Sequence, residues 1–328
     1  MEQADLIWHN GELVAWEDAK IHVLTHGLHY GTSVFEGERA YETPRGTAIF
    51  RHLDHLRRLH ASAKLYYMDL PYTVEELRAA THELIAANGL RECYIRPVAF
   101  RGYGQMGINP LDCEVGVSIA VWPWGAYLGE AAKREGVRAK VSSWRRIDGG
   151  SLIPHAKAGG QYLNSVLAKI ESLKAGYQEA ILLDSRGFVC EGTGENVYVV
   201  RGGEIITPPQ TASILDGISR RSVITIARDL GYTVLERDLA RAELTLADEV
   251  FLTGTAAELV AVSEIDDHTI GAGGTGPITA EIQRVYEDAL HGRDERYADW
   301  LDVVPARTPS AAASAGPTPT PPAAASAG

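Results

Sequence analysis

The stretch EAILLDSRGFVCEGTGENVYVVRGGEIITPP, residues 179–209, decides the fold class. Its apolar runs are interrupted by two glycine-containing turn signals, SRG at residues 185–187 and RGG at residues 201–203. Short runs rich in valine, isoleucine and tyrosine that break at such turns are typical of β-hairpins. Two consecutive hairpins predict a largely antiparallel sheet, and therefore an α+β fold rather than a doubly wound one.

The remaining elements are predicted by periodicity and turn chemistry. Asn10-Gly11 predicts a hairpin near residues 6–15, and CYIRPVAF and EVGVSIAVW are predicted strands. Helices are predicted at 54–67, from a capping box at 73–76 to the Asn88-Gly89 stop, and at 161–175, 218–230 and 277–290, while the segment around residues 20–30 is predicted to be irregular.

Changes in composition along the chain suggest two domains and a tail. The first unit covers residues 1–124, and the prolines and glycines near residues 123–129 favour a linker at 125–133. The second, strand-rich unit covers residues 134–306. Residues 307–328 are nearly all Ala, Pro, Ser, Thr and Gly, so they are predicted to be disordered.

Composition excludes several classes of function. Acidic residues outnumber basic ones, 43 to 31, and no basic stripe with interleaved aromatic residues suggests nucleic-acid binding. An apolar run long enough to cross a bilayer is absent, as is a secretory signal, so a cytoplasmic protein is expected. The cysteines, Cys93, Cys113 and Cys190, form no Cys-x-x-Cys pair and are expected to be reduced thiols. These features favour an enzyme that acts on small molecules.

Motifs for the commonest cofactors are incomplete. The sequence GTG at residues 192–194 resembles the start of a dinucleotide fingerprint, but the third glycine is missing and a strand pattern follows where a helix is required. Phosphate-loop and hydrolase-elbow motifs are absent. Histidines recur in two sets, at 22, 26 and 29 and at 52, 55 and 60, but no nearby carboxylate or cysteine completes either set, so no metal site is expected.

Lys157 lies in SLIPHAKAGGQYLN, residues 151–164, between small and apolar residues. A lysine that attacks a carbonyl must lose its proton, and a dry, small-residue environment favours the neutral amine. Taken alone, such a residue is usually a solvated surface lysine. If its carbonyl partner is pyridoxal phosphate, the chain must also supply an arginine and a helix N-terminus for the phosphate and a carboxylate for the ring nitrogen.

The chain contains candidates for the phosphate groups. The helix predicted to start at Ile218 follows Asp216-Gly217, so its first backbone N–H groups and the Ser219 hydroxyl can face an anion. Arg58, on a helix of the first unit, can reach across a cleft as a bidentate phosphate clamp.

Nine segments in register carry a family resemblance that extends from about residue 5 to residue 303. The sequence resembles the branched-chain amino acid aminotransferases, which are fold-type IV pyridoxal phosphate enzymes. The resemblance implies a D-amino acid aminotransferase-like architecture, with a small α/β N-terminal domain and a larger strand-rich pseudo-barrel domain with helices. The segments are HGLHYGTSVFEGERAY, RHLDHLRRLHASAK, YIRP, MGINP, PWGAYLG, AKAGGQYLNS, EGTGENVYVV, ILDGISR and ADEVFLTGTAAEL.

The resemblance implies the cofactor contacts. Lys157 would form the Schiff base (internal aldimine) with pyridoxal 5′-phosphate and shuttle the proton during transamination. Glu191 would keep the pyridine nitrogen protonated, although without the resemblance a carboxylate that caps local amides at a hairpin end is the preferred interpretation. The resemblance further implies that Tyr162 bonds the phenolic oxygen, that Asn196 and Glu195 support the ring, and that Arg58, Ile218, Ser219 and Thr255 hold the phosphate.

The resemblance also implies the substrate contacts. The α-carboxylate would meet Tyr94 and the backbone N–H groups of Thr255, Ala256 and Ala257, with Arg39 nearby. Aromatic walls would line the side-chain pocket, and Arg96 would hold the second carboxylate of glutamate with help from Ile108 and Tyr30. The loop RGYGQMGINP at residues 101–110 would close the site, donated by the second subunit of a homodimer. The pocket walls are Tyr30, Phe35, Tyr127 and Tyr162.

The implied reaction is the reversible transamination of L-leucine, L-isoleucine or L-valine with 2-oxoglutarate, giving the branched 2-oxo acid and L-glutamate. Two alternatives stay open. One is a different enzyme on the same fold, a D-amino acid or (R)-amine transaminase or an aminodeoxychorismate lyase-like enzyme; the other is a catalytically silent binding protein. Glu38, Gln161, Tyr103 and Gln105 depart from the family pattern and bear on the substrate range. Glu38 is expected to face away from Gly37 and Arg39 on a strand.

Overall fold

The computed structural model describes residues 2–125 and 135–306. Tyr127, most of the predicted linker at 125–133 and the tail at 307–328 therefore lie outside the described residues. Helices α1 to α7 span His26–Tyr30, His52–Leu65, Val74–Ala87, Tyr162–Lys174, Ile218–Asp229, Arg241–Thr245 and Pro277–Leu290.

Strands β1 to β7 span Leu6–His9, Glu12–Ala15, Ser33–Phe35, Glu38–Thr43, Gly46–Phe50, Cys93–Arg101 and Val115–Trp122. Strands β8 to β12 span Val137–Arg145, Glu179–Leu183, Val189–Gly192, Asn196–Arg201 and Glu204–Thr207. Strands β13 to β17 span Val234–Glu236, Glu249–Gly254, Glu258–Ile265, His268–Thr269 and Leu301–Val303.

The predicted hairpins are confirmed. Strands β9 and β10 pair antiparallel, as do β11 and β12 and the N-terminal pair β1 and β2. Asn10 and Gly11 both have positive φ, 48° and 100°, as a two-residue turn between twisted strands requires. Local turn chemistry was therefore sufficient to predict these elements.

The second sheet forms a barrel-like ring, which confirms the expected strand-rich domain. Its order is β10-β9-β8-β15-β14-β11-β12-β13, and β10 also pairs with β11 through Glu191 and Asn196. This additional pairing joins β10, β9, β8, β15, β14 and β11 into a closed circuit. Glu191 lies on the strand that closes it.

Some features differ from the sequence prediction. Among the described residues, six of the nine strand pairs of the second sheet are antiparallel, as predicted, and three pairs, β8–β9, β8–β15 and β12–β13, are parallel. The β8–β9 pair is parallel because α4 crosses over between its strands, and a helical crossover brings the chain back in the same direction. The prediction of an irregular segment near residues 20–30 was wrong at α1, which, like α6, has only five residues and too short a periodicity to recognise.

The first sheet has the order β17-β5-β4-β6-β7-β1-β2, with β3 paired to β6. Its edge strand β17 comes from the far end of the described chain and pairs with β5. One buried apolar cluster joins Tyr41 and Phe50 of this sheet to residues of α5 and α7. The two sheets are thereby packed against a shared core, and the division at residues 125–133 stays a prediction.

Within the described residues, no helix is both long and apolar enough to cross a membrane.

Candidate active site

Lys157 lies between β8 and α4, and its backbone is fixed by elements of the first sheet. Its N–H donates to Ser62 Oγ on α2 (3.0 Å), and its carbonyl accepts from the Phe35 N–H on β3 (3.0 Å). The glycines that follow allow this close approach, because a Cβ on Gly159 would overlap the Ser33 hydroxyl. The lysine is therefore held where the two sheets meet.

The Lys157 side chain points into a half-buried aromatic setting. Its Nζ donates to the hydroxyl of Tyr162 (2.7 Å), and Tyr162 is the first residue of α4. The same nitrogen lies 5.0 Å from the centre of the Phe35 ring. Phe35 and Tyr162 pack together with ring centres 4.9 Å apart. The structure thus brings together three residues that were predicted separately.

Glu191 is buried across the same cavity. Its Oε1 pairs with Arg146 Nε at 2.7 Å, and its Oε2 accepts from the Leu215 N–H (3.0 Å) and from Asn196 Nδ2 (3.2 Å). Burial raises the pKa of Glu191, and the Arg146 guanidinium opposes that rise. The cation and the two hydrogen bonds favour the ionised carboxylate in this buried position.

The cavity between these groups has a volume of about 30 Å³. Its lining includes the amine of Lys157, the Arg146–Glu191 ion pair and the turn that connects β10 to β11. The lining residues are Arg146, Ala156, Lys157, Tyr162, Ser165, Glu191, Thr193, Gly194, Glu195, Asn196 and Leu215.

Asn196 connects the barrel to the start of α5. Its amide donates to the Leu215 carbonyl (3.0 Å) and to Glu191. A Cβ on Gly217 would overlap Asn196 Oδ1, so only glycine fits at this N-cap. Asn196 therefore aligns the carboxylate with the helix start rather than only supporting a ring.

Glu195 belongs to a second buried acidic group beside the cavity. Burial and the neighbouring Glu179 raise the pKa of Glu195 well above its ordinary value. Glu179 pairs with Lys169 Nζ (2.7 Å) and accepts from Thr193 Oγ1 (2.6 Å). These contacts fix the turn at residues 193–195.

Arg58 lies beside the start of α5, as predicted. Its Nη1 donates to the Asp216 carbonyl (2.9 Å), one residue before the N-cap. Its Nε and Nη2 form a fork with the carboxylate of Glu36 at 2.7 and 2.8 Å. The predicted bidentate contact of Arg58 with an anion therefore cannot use the Nε/Nη2 edge, because Glu36 occupies that edge.

The other predicted phosphate residues surround the same position. Gly217 makes no side-chain cap, and the first N–H groups of a helix have no acceptor within the helix, so those of Ile218 and Ser219 are available to an anion. The Ser219 hydroxyl accepts from Tyr286 (3.1 Å). Thr255 lies in the β14–β15 turn, directly after the strand that pairs with β11.

The predicted substrate residues Tyr94 and Arg96 lie on β6 and contact one another. Arg96 Nη2 donates to the Tyr94 hydroxyl (3.1 Å), and the guanidinium lies 4.8 Å from the Phe35 ring centre. The buried Nε of Arg96 has no acceptor among the described residues. Gly37 makes room for this pair, since a Cβ there would overlap the Tyr94 hydroxyl.

Arg39 contacts the turn that carries Ala256 and Ala257. Its Nη1 pairs with Glu258 Oε1 at 2.5 Å, and Tyr41 donates to the same oxygen (3.2 Å). Glu258 adopts a left-handed φ of 58° at the end of this turn. Arg39 therefore holds the turn, and its predicted assistance to a carboxylate would act through that turn.

Tyr30 and Ile108 lie apart from the buried groups. Tyr30 is exposed at the end of α1, and Ile108 is 91% exposed. His26 Nε2 donates to the Gly107 carbonyl (2.8 Å), which ties α1 to the loop at residues 101–110. Tyr127 lies outside the described residues.

Sequence reasoning missed Arg146, Glu36 and His55. Arg146 follows strand β8 in the run SSWRRID, where a paired arginine at a strand end was the available signal. His55 Nδ1 donates to Glu36 Oε2 (2.7 Å). Glu36 lies in the quoted segment VFEGER, but its contacts join residues that are 19 and 22 positions apart.

The histidine sets behave differently from their sequence spacing. His52 is brought together not with His55 and His60 but with His82 and Asp302, their ligand atoms within 4.8 Å of one another. His52 Nδ1 donates to Glu38 Oε2 (2.5 Å), and Glu38 faces away from Arg39, as expected. Both oxygens of Asp302 accept from Arg78, so the carboxylate already has a cationic partner.

Comparisons with known proteins are consistent with this geometry. The sequence profile described as amino-transferase class IV matches residues 33–265. The chain belongs to that family. The branched-chain-amino-acid aminotransferase of Escherichia coli (strain K12) is 47% identical over 304 residues, which are 92% of this chain and 98% of that protein.

Solved structures resemble this class IV aminotransferase over nearly its whole length. The crystal structure of the Escherichia coli branched-chain amino acid aminotransferase superposes with a TM-score of 0.91 at 47% identity, covering 92% of this chain and 100% of that one. A T.th. branched-chain amino acid aminotransferase complexed with N-(5′-phosphopyridoxyl)-L-glutamate superposes with a TM-score of 0.89 at 48% identity, covering 93% and 100%.

The residues of this class IV aminotransferase fit pyridoxal phosphate. A lysine amine and a buried carboxylate line one cavity, while a glycine-capped helix start and an arginine with unused N–H groups lie beside it. Lys157 would take the aldehyde, Tyr162 the phenolic oxygen and Glu191 the ring nitrogen. Arg58, Ile218, Ser219 and Thr255 would take the phosphate.

Proposed function

We propose that this chain is a pyridoxal 5′-phosphate-dependent transaminase of branched-chain L-amino acids. It would exchange the amino group of L-leucine, L-isoleucine or L-valine with 2-oxoglutarate. One observation carries the proposal: Lys157 Nζ, Tyr162 and Glu191 converge on one cavity in a chain 47% identical to a branched-chain-amino-acid aminotransferase. The similar T.th. structure is complexed with N-(5′-phosphopyridoxyl)-L-glutamate, which supports the choice of cofactor and of glutamate as one of the two substrates.

Pyridoxal phosphate supplies an aldehyde for the amino group and a ring that delocalises the electron pair left when a proton is removed. Lys157 provides the amine that holds the aldehyde in the resting enzyme. Lys157 Nζ lies 2.7 Å from the Tyr162 hydroxyl, and as a free amine it would be placed to accept and return a proton. Glu191, which lines the same cavity, would hold a proton on the ring nitrogen.

The dual substrate requirement is met by Phe35 and Arg96. Leucine, isoleucine and valine need apolar walls, which the packed rings of Phe35 and Tyr162 supply. Glutamate brings a second carboxylate, which is costly to bury without a partner. Arg96 lies over the Phe35 ring with a buried Nε that lacks an acceptor in the described part of the chain, so it can receive that carboxylate.

The alternatives on the same fold are not favoured, because the similar proteins are named branched-chain aminotransferases. A catalytically silent binding protein would be expected to lack the amine of Lys157 or the carboxylate of Glu191, and both groups are in place. A panel of L- and D-amino acids with 2-oxoglutarate tests the specificity. We expect glutamate to form with L-leucine, L-isoleucine and L-valine. Turnover of D-leucine alone would assign the chain to the D-amino acid group.

We further propose that the enzyme is a homodimer whose second copy covers an apolar surface on α4. This helix buries small residues, Ser165, Ala168 and Ser172, against the barrel and presents its large apolar side chains to solvent. The exposed side chains recur at spacings of three and four and form one stripe: Leu163, Val166, Leu167, Ile170 and Leu173. An exposed apolar stripe of this kind marks a protein interface.

The stripe continues onto the segment around α1. The Gly160 N–H donates to the Gly31 carbonyl (3.2 Å), so the end of α1 adjoins the start of α4. This segment also exposes large apolar side chains, namely Ile21, Val23, Leu24 and Leu28. Both parts of the surface adjoin the segment that follows Lys157, which favours a second copy that also brings Ile108 to its neighbour's site.

Charging the stripe should separate the subunits. We expect Leu167→Asp combined with Ile170→Asp to lower the mass measured by light scattering from twice 35.5 kDa to 35.5 kDa, because unpaired charges are costly to bury in an interface. Leu246→Arg, on an exposed residue at the end of α6, is the matched control and should stay dimeric. A wild-type protein of monomer mass would overturn the dimer.

The expected cytoplasmic location is supported by the state of Cys93, Cys113 and Cys190. All three are buried and unpaired, as is usual in reducing compartments. Fractionation of the source cells would test the location, and recovery of the protein outside the cytoplasmic fraction would contradict it.

A further inference from the structure

The carboxylate of Glu36 is completely buried between α2 and the strand that contacts Lys157. Glu36 follows β3 directly, and its N–H donates to the Pro97 carbonyl (2.8 Å). The preceding residue, Phe35, bonds the Lys157 carbonyl through its own N–H. The backbone at Glu36 is therefore fixed on both sides, and its side chain has little freedom.

Three donors from α2 satisfy this carboxylate. Arg58 contributes Nε (2.7 Å) and Nη2 (2.8 Å), and His55 contributes Nδ1 (2.7 Å). Burial raises the pKa of Glu36, but the Arg58 guanidinium and the His55 ring outweigh it and leave the pKa well below its ordinary value. Glu36 is thus an ionised carboxylate that binds one edge of the Arg58 guanidinium.

The contact with Glu36 determines which N–H groups of Arg58 remain available to another acceptor. A guanidinium has five N–H donors. Glu36 uses one on Nε and one on Nη2, and the Asp216 carbonyl uses one on Nη1. One N–H is left on each terminal nitrogen. The guanidinium that carries them lies beside the Gly217 N-cap of α5.

We propose that Glu36 is a positioning residue that fixes the guanidinium of Arg58 so that its two terminal N–H groups face a phosphate at the start of α5. The proposal rests on the proposed function, because the phosphate is that of the cofactor. Two effects of Glu36 oppose one another. Its charge weakens the attraction of Arg58 for an anion, whereas its geometry directs the remaining donors.

The geometric effect should prevail. In Glu36→Gln the amide can keep one acceptor, but its NH₂ group meets a donor of Arg58 or of His55, so the fork is broken. Arg58 then loses its defined orientation, and a bidentate contact depends on orientation. The charge effect alone would make the Gln variant bind phosphate more tightly.

The test compares pyridoxal phosphate with pyridoxal, which lacks the phosphate, by spectral titration of the apoenzyme. We expect Glu36→Gln to raise the Kd of pyridoxal phosphate about tenfold or more and to change that of pyridoxal less than about twofold, as loss of a charge-assisted hydrogen bond predicts. Arg58→Ala should show the same selectivity, and the double variant should be no weaker than Arg58→Ala. Glu83→Gln, an exposed glutamate on α3, is the matched control.

Each outcome decides the proposal. Equal weakening of both ligands, tighter binding of pyridoxal phosphate, or additive effects of the two substitutions would overturn the positioning role. Should Glu36→Gln fail to fold, His55→Gln removes one support of the same carboxylate and should raise the Kd of pyridoxal phosphate about threefold with pyridoxal unaffected; an equal rise for both again overturns it. A wild-type protein that binds neither ligand would instead contradict the proposed function.

Discussion

Lys157→Ala is expected to abolish transamination, lowering kcat by at least about 10⁴-fold. The variant loses the amine that holds the aldehyde and also the base at the reacting carbon, and no other lysine lines the cavity within the described residues. The rate of glutamate formation from L-leucine and 2-oxoglutarate measures the loss. Peptide mapping after borohydride reduction should find the cofactor on the peptide that contains Lys157 in the wild type and on no peptide in the variant.

Lys174→Ala is the matched control for this substitution. Lys174 is exposed at the end of α4, so its removal should leave the rate and the labelled peptide unchanged. Retention of more than about 1% of the wild-type rate by Lys157→Ala would show that Lys157 is neither the covalent anchor nor the base.

Glu191→Gln is expected to lower kcat roughly 10²- to 10³-fold, the range seen when one preorganised electrostatic partner of a transition state is removed. Glutamine keeps the shape of the side chain and can still accept from the Leu215 N–H, but it carries no charge to hold a proton on the ring nitrogen. It also leaves Arg146 as a buried cation without its carboxylate, which favours the unprotonated ring further.

The spectrum of the bound cofactor separates this role from a structural one. Glu191→Gln should still bind pyridoxal phosphate through Lys157, with an altered absorption band and a lower rate of proton removal. Glu191→Asp restores the charge on a shorter chain and should recover part of the rate. Glu204→Gln, an exposed residue of the same sheet, should behave as wild type. A wild-type rate in Glu191→Gln would remove the carboxylate from the mechanism.

Local signals in the sequence were sufficient for much of the fold. The hairpins of residues 179–207 follow from turn residues that lie within the hairpins themselves, and α3 follows from a capping box that the structure contains at Thr73 and Glu76. The start of α5 was likewise predicted at Ile218, where the structure places it.

Contacts between distant segments could not be predicted in this way. Strand β17 pairs with β5 some 250 residues earlier, and its short run LDV has no distinguishing pattern. The barrel circuit likewise includes the pairing of β8 with β15, in which Val137 lies opposite Val262. These pairings are properties of the assembled sheets.

The same difference between sequence signals and contacts across elements applies to the candidate site. Lys157, Glu191 and Arg58 were predicted through a resemblance that extends over the whole chain, and the structure places each beside the expected elements. Their partners, Arg146 and Glu36, were missed because each contact joins two separate elements and leaves no spacing in the sequence. Arg58 shows the consequence, since Glu36 occupies the Nε/Nη2 edge of its guanidinium and nothing in the sequence indicated this contact.

The central claim is that this chain moves amino groups from branched-chain L-amino acids to 2-oxoglutarate, and the half-reaction of the holoenzyme tests it most directly. The visible absorption of the cofactor's aldehyde form is recorded while L-leucine is added, and then 2-oxoglutarate. We predict that L-leucine removes the absorption, that 2-oxoglutarate restores it, and that D-leucine has no effect. An absorption that L-leucine leaves unchanged, or one that only D-leucine removes, would contradict the account.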